Sequence, residues 1–412
     1  MSFSKAAFYL TCASIISILL SIAISQILLA LAVAALLISG TRMQFPPVKL
    51  PLAIFIGWTF LAVALSTDPR SGTPQIRKMV LFFFLLLVAS TFRSVSEIRA
   101  VVLLWGCVAS ASALRSFYQF WLKFEQARAL HTNFYDYYVS ARITGFTSHW
   151  MTFGGEEMIV LLMLISYLFF SSDRKWKPLG WACVGILVIS LVLSLDRSIF
   201  LLGLPIGVCY LIWFWNRKVF LLAPIAIIAL LAVPVLRQRI LSTVRPHGDT
   251  DSNMHRVITR RTGWQMVKAH PLFGLGPEQI KPQFDSYVPA DIPRPLPTGW
   301  YGHLHNIYLQ YAAERGIPAL LALLWLIGKA AYDFFLGLRR RDLDSETRFV
   351  LHGAIAVFLG VLAEGYFEYN LGDSEVLTMF LAVLGFGYVA LQTSVAAAAK
   401  RAPVSEAVRF AD

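Results

Sequence analysis

Apolar residues in this chain come in long unbroken blocks, without the alternation of a half-buried strand or the single stripe of a soluble helix. A block of roughly 20 such residues spans a bilayer as a helix, since only a helix satisfies its backbone groups where water is absent. The blocks predict about twelve spans, at 5–20, 22–39, 50–67, 75–92, 98–121, 155–171, 178–194, 198–215, 218–236, 317–337, 349–365 and 374–395. The first two adjoin at Ser21, where a tight re-entrant pair is the alternative reading. Lys5 flanks the first block as in a signal peptide, but another apolar block follows at once and no small-residue cleavage site stands out. That block is expected to be retained. Two long polar stretches interrupt the pattern, 122–154 and 237–316. The expected fold class is an all-α polytopic membrane protein. Its nine first spans fill 1–236 with a polar segment near 122–154. A large outer loop with surface helices occupies 237–316, and three spans and a tail fill 317–412.

Composition agrees. Of 412 residues 57% are hydrophobic and 15% charged, against about 25% charged in soluble domains. The aromatic share of 14% also excludes a disordered chain. Where the net charge of +12 sits matters more. With the N-terminus in the cytoplasm, every short cytoplasmic connection is basic: Arg42 and Lys49, Arg93 and Arg99, Arg174 with Lys175 and Lys177, Arg217 and Lys218, Arg339 to Arg341 with Arg348. Lys400, Arg401 and Arg409 put the C-terminus on the same side. Both long stretches then lie on the outer face, as do seven of the eight histidines, His352 being the exception. Outer bases are mostly arginine. They read either as a surface facing anionic headgroups or, since a guanidinium recognises oxyanions with two prongs, as ligands for phosphate or carboxylate. Cys12, Cys107, Cys183 and Cys209 fall inside spans, fit no disulfide framework or zinc site, and read as small buried hydrophobes.

Four outer stretches carry candidate chemistry. In 141–155, Gly145, Gly154 and Gly155 permit close backbone approach and Ser148 or Thr152 is placed to cap the following helix. Arg142 there is a candidate phosphate ligand or a snorkelling interfacial residue. In the tight turn 194–200, Asp196 and Arg197 sit at membrane depth, where ionisable groups are costly; they either neutralise one another or Asp196 holds Arg197 toward an external anion. Residues 252–276 predict a surface helix, capped by Ser252 or Asn253 and ending near His270–Pro271, with Met254, Val257, Ile258, Trp264 and Val267 as its apolar stripe. Arg256 and Arg260 share a face of it and Arg261 adds charge, which a diphosphate or a lipid headgroup would neutralise. Finally, 300–318 predicts a helix from His305–Asn306 to Gly316. His303 and His305 without a convincing carboxylate partner make a weak metal signal, so a histidine beside Asn306 suits proton transfer better. Asp249 and Asp251 have a metal-like spacing that polar loops often show by chance. Glu364, Glu368 and Asp373, on the last outer loop, are placed as bases or as groups that orient the histidine.

Residues 305–317 (HNIYLQYAAERGI) resemble the histidine–asparagine signature of the bacterial O-antigen ligase and polymerase family. Trp264 with 270–276 (HPLFGLG) is similar to the segment preceding it there. Asp196-Arg-Ser198 is similar to the family's serine/arginine turn, and Arg142-Ile-Thr-Gly-Phe146 to its upstream arginine–glycine element. The turn departs from the family, where Ser-Arg-Gly is frequent. The resemblance implies a multi-span, lipid-linked glycosyltransferase of the bacterial inner membrane with a periplasmic active site. Its donor would be a glycan on undecaprenyl diphosphate and its acceptor a sugar hydroxyl of lipid A–core, with no metal, nucleotide or other cofactor and no nucleic-acid partner. On this reading His305 is the general base and Arg142, Arg197, Arg260 and Arg261 bind the diphosphate. Asn306, His303, Asp196 and Trp264 support them. No nucleophilic carboxylate lies among the motifs, so inversion is expected. An O-antigen polymerase or a protein O-oligosaccharyltransferase shares the donor chemistry. A transporter would instead need internal repeats, and none is seen, and charges within broken spans, of which the predicted spans hold few, Arg115 among them.

Overall fold

The computed structural model describes residues 2–243, 253–297 and 299–401. Among these every regular element is helical. The chain runs through α1 (Phe3–Ser17), α2 (Ile22–Ile38), α3 (Lys49–Ala64), α4 (Thr73–Lys78), α5 (Phe83–Thr91), α6 (Val95–Ala129), α7 (Phe134–Ser140), α8 (Trp150–Phe170) and α9 (Lys177–Ser194). It continues with α10 (Leu204–Trp215), α11 (Ala223–Ala232), α12 (Pro234–Leu241), α13 (Asn253–Ala269), α14 (Ile280–Tyr287), α15 (Ile307–Leu338), α16 (Ser345–Glu364) and α17 (Ser374–Arg401). Among the described residues seven helices are long and apolar enough to cross a membrane. They are Thr73–Thr91, with a 3-10 turn joining α4 to α5, together with α6, α8, α9, α15, α16 and Ser374–Ala397 of α17. Shorter apolar helices are α1, α2, α3 and Ile199–Trp215. The fold is that of a polytopic membrane protein.

Several boundaries depart from expectation for identifiable reasons. The block at 218–236 is not one straight helix: Arg217–Ala232 and Pro234–Leu241 meet at 100°. Pro234 cannot donate to the helix, and it holds Val233 extended (φ −83°, ψ 115°). The helix entering the membrane at Trp150 is capped by His149, whose Nδ1 accepts from the Met151 amide at 3.2 Å, and not by Ser148 or Thr152. Gly154 and Gly155 lie inside α8, pressed against Ile199 and Val376, so they serve helix packing and not ligand approach. Of the cysteines Cys183 is buried and Cys12 partly so, whereas Cys107 and Cys209 are exposed on the bundle's surface. α1 and α2 form a hairpin in which Ser14 and Ser25 donate to each other's carbonyl oxygens at 2.6 and 2.9 Å.

α8 is almost wholly buried, ringed by α6, α9, α10, α16 and α17. It carries Glu156 and Glu157 into the interior, 2% and 1% exposed. α15 adds the buried pair Glu314–Arg315, 2.9 Å apart. Glu156 and Glu157 thus join Arg115 among the few ionisable groups of the spans.

α15 is helical from Ile307 but breaks at Gly316 (φ 80°, ψ 165°) before continuing through Pro318 to Leu338. The expected stop at Gly316 is thus an interruption within one element. A Cβ at Gly316 would collide with the Leu272 carbonyl. The segment 271–276 lies against the break and satisfies it: Leu275 and Gly276 amides donate to the Ala313 and Glu314 carbonyls at 2.8 and 3.0 Å, and the Ile317 amide donates to Pro271. Trp58 clamps the segment from α3, donating its indole N–H to the Leu272 carbonyl at 2.8 Å and stacking on Phe273. Broken-helix backbone groups must find partners in a membrane protein, and here the loop supplies them.

Candidate active site

The site begins with an unusual backbone. His305 has φ 48°, a left-handed conformation that a side chain with a Cβ seldom adopts and that tends to mark functional positions. Neighbours hold it there. Gln310 Oε1 accepts from the Leu304 amide at 2.8 Å, and Asn306 caps α15 by accepting from the Leu309 amide at 2.9 Å. Asn306 also donates to the Tyr366 carbonyl at 2.8 Å, and the Ile307 amide to that of Gly365 at 2.8 Å. Residues 304–307 are thereby fastened to the connection between α16 and α17.

That connection delivers Glu368. Its Oε1 lies 3.0 Å from His305 Nδ1, and its Oε2 lies 3.4 Å from Arg256 Nη2. Burial alone would raise this carboxyl, but the His305 imidazole and Arg256 outweigh it and hold the group down at about 2. An ionised carboxylate on Nδ1 fixes the ring and directs Nε2 to a substrate. His303 packs on His305 with ring centres 4.1 Å apart, and His255 lies at 5.3 Å. Burial, and then the proximity of His305, lowers both His303 and His255 to about 4. They are neutral at physiological pH.

On the other side of Arg256 opens a cavity of about 410 Å³, lined by Arg197, Ser198, Leu201, Asn253, Arg256, Arg260 and Phe367 among others. Arg197 is set by Ser242 and Asn253, to which it donates at 3.1 and 2.8 Å. Asp196 does not hold it: its Oδ1 accepts from the Ser198 amide and hydroxyl at 3.1 and 2.6 Å. Arg260 lies over the rings of Tyr366 and Phe367. Three guanidinium groups thus face one hollow with Leu201, Leu202, Val257 and Phe367 as its apolar wall.

The remaining predicted residues lie elsewhere. Arg142 is buried beneath the turn, donating to the Leu195 carbonyl at 3.3 Å and covering the Trp150 ring. Arg239 donates to the same carbonyl at 3.0 Å, so two cations support the left-handed residue (φ 52°) before Asp196. Arg261 points away from the cavity and takes both oxygens of Asp291 at 2.8 Å on the surface. Trp264 is exposed on α13, as are Met254 and Val257, while Ile258 and Val267 are buried. Asp249, Asp251, Ser252 and Arg245 lie outside the described residues. Glu364 is buried and accepts from Asn370 at 2.8 Å.

His303, His305 and Glu368 offer one ligand atom each within 4.8 Å of one another, the geometry of a possible metal site. Of the three carboxylates expected to act as bases or to orient the histidine, Glu368, 63 positions from His305, is the one on its Nδ1. It is already engaged by His305 and by a guanidinium, whose charge opposes a dication there.

Such an arrangement can grip an oxyanion beside a pinned imidazole. Residues 182–324 match the O-antigen ligase family model. The match supports assigning the chain to that family. The matched stretch contains the Arg197 turn, α13 and His305, while Arg142 and Glu368 fall outside it. The match supports a function of the O-antigen ligase or polymerase type. No curated protein matches the chain.

Proposed function

We propose that this protein transfers O-antigen glycan from undecaprenyl diphosphate to a sugar hydroxyl of lipid A–core, at the periplasmic face of the bacterial inner membrane. The observation that carries the reading is the chain Arg256–Glu368–His305, which couples an arginine-lined hollow to an oriented imidazole. The lipid diphosphate lies against Arg197, Arg256 and Arg260, its prenyl chain along the apolar wall. His305 Nε2 takes the proton of the acceptor hydroxyl as its oxygen bonds to the anomeric carbon. The bond from that carbon to the diphosphate oxygen breaks, and undecaprenyl diphosphate leaves with the electron pair. Its developing negative charge meets preorganised guanidinium groups, each worth about 2–4 kcal/mol by comparison with oxyanion donors. One displacement inverts the anomeric carbon. Glu368, ionised and committed to Nδ1, stabilises the imidazolium without becoming a nucleophile. Two neutral histidines beside His305 spare it further like charge.

The test is transfer in proteoliposomes from lipid-linked glycan to rough-type lipopolysaccharide. His305→Ala is expected to cut the rate about a hundred- to ten-thousand-fold while the protein stays folded. Arg197→Lys and Arg260→Lys should raise the donor KM, because ammonium lacks the planar fork; Arg261→Ala should leave it unchanged. Transfer should persist in EDTA. Near-wild-type turnover in His305→Ala, or full rescue by lysine at both sites, overturns the reading. Extension of the donor with no product on lipopolysaccharide would mean a polymerase.

A further inference from the structure

A second hollow, of about 220 Å³, reaches Glu368 of the Arg256–Glu368–His305 chain and His303, whose ring packs on His305. Glu368 and His303 line it, with Gln75, Lys78, Glu278, Trp300, Glu314 and Asp373. Its chemistry is the reverse of the first. Four carboxyl groups and one ammonium line it and no arginine does, so a diphosphate would be repelled. Glu314 is spoken for by Arg315, and Glu278 accepts from Gln75. Asp373 has one oxygen on the Thr152 hydroxyl at 2.8 Å. Burial raises this carboxyl to about 7, with the Thr152 bond opposing, so near neutrality it both donates and accepts. Trp300, 55% exposed, folds back over the chain at Gly302, where any Cβ would strike the indole. Mixed donors and acceptors beside an aromatic face, in a space suited to a single ring, describe a site for an uncharged sugar.

We infer that this hollow is the acceptor subsite, and that it seats an unphosphorylated sugar ring against Trp300 with its hydroxyls on Asp373 and the neighbouring polar groups. The assignment rests on the transferase reading above and extends it. Charge sorts the two substrates: the anionic donor enters the arginine-lined hollow and the neutral polyol enters the acidic one. They meet at the imidazole, which takes the proton from the sugar's attacking hydroxyl.

The experiment varies each substrate separately in proteoliposomes, with undecaprenyl-diphosphate-linked glycan as donor and rough-type lipopolysaccharide as acceptor. Trp300→Ala and Asp373→Asn are expected to raise the acceptor KM about tenfold and leave the donor KM unchanged. Asparagine retains the bond to Thr152, so the conservative variant guards against misfolding. Binding of rough-type lipopolysaccharide without donor provides a readout independent of turnover: His305→Ala should bind as wild type does, and Trp300→Ala should bind more weakly. A raised donor KM with unchanged acceptor KM, or unaltered binding in both Trp300→Ala and Asp373→Asn, overturns the subsite. Failure of the wild type to transfer glycan at all would overturn the transferase reading alone, since the binding comparison still judges the hollow.

Discussion

A left-handed backbone at His305 and a carboxylate on its Nδ1 turn an ordinary interfacial histidine into a fixed one. Glu368→Gln removes the charge that steadies the imidazolium, and a loss in turnover of about a hundredfold or more is expected; an unchanged rate would reduce Glu368 to scaffolding. The lowered histidines also predict how acid acts. His303 and His255 are held at about 4, whereas an unfolded histidine titrates near about 6.5. Between those values the unfolded chain binds more protons, so stability falls as pH drops from about 6.5 toward 4. Glu368, held at about 2, adds stability above its unfolded value of about 4.3 that is lost on further acidification toward 2. Thermal unfolding in detergent should show the first decline, and His303→Gln should flatten it; identical slopes would contradict the assignment. The residues of this site were partly legible in the chain. His305, Arg197 and Arg260 stand in local motifs, whereas Glu368 was legible only as one of three carboxylates on the last outer loop, because no spacing rule selects a partner 63 positions away. Three arginines within six positions of α13 look alike until Asp291 claims one of them.

At the scale of elements, the break in α15 decides where the site sits. The sequence motif 270–276 reads as a family marker, and its physical task is to occupy the gap at Gly316. Gly316→Ala places a methyl against the Leu272 carbonyl on a backbone with φ 80°. A strain of about 1–3 kcal/mol follows, and the variant should unfold at lower temperature in detergent. A melting temperature equal to wild type would show that the segment tolerates displacement. Apolar blocks gave away the helices because a lipid-facing helix must be hydrophobic for its whole length. Their breaks were less visible: Pro234 bends one block by 100°, and the His149 cap uses a ring nitrogen that common capping patterns do not include.

For the whole molecule, the basic short loops and the position of the two hollows make one topological statement. A phosphatase that is active only outside the cytoplasm should be active when fused after residue 243 and silent when fused after residue 341; the reverse pattern would invert the orientation and move the hollows to the cytoplasm. The break in α15 also bears on rigidity. Residues 307–315 are tied by hydrogen bonds to the 271–276 segment and to the α16–α17 connection, while beyond Gly316 the same element is a membrane span. The Ile317 amide on Pro271 and the Trp58 indole on Leu272 fasten the same segment to the far side of the break, so the two halves of α15 are stitched together across Gly316. A corner braced on both flanks resists flexing, and the imidazole two residues before Ile307 inherits that stiffness.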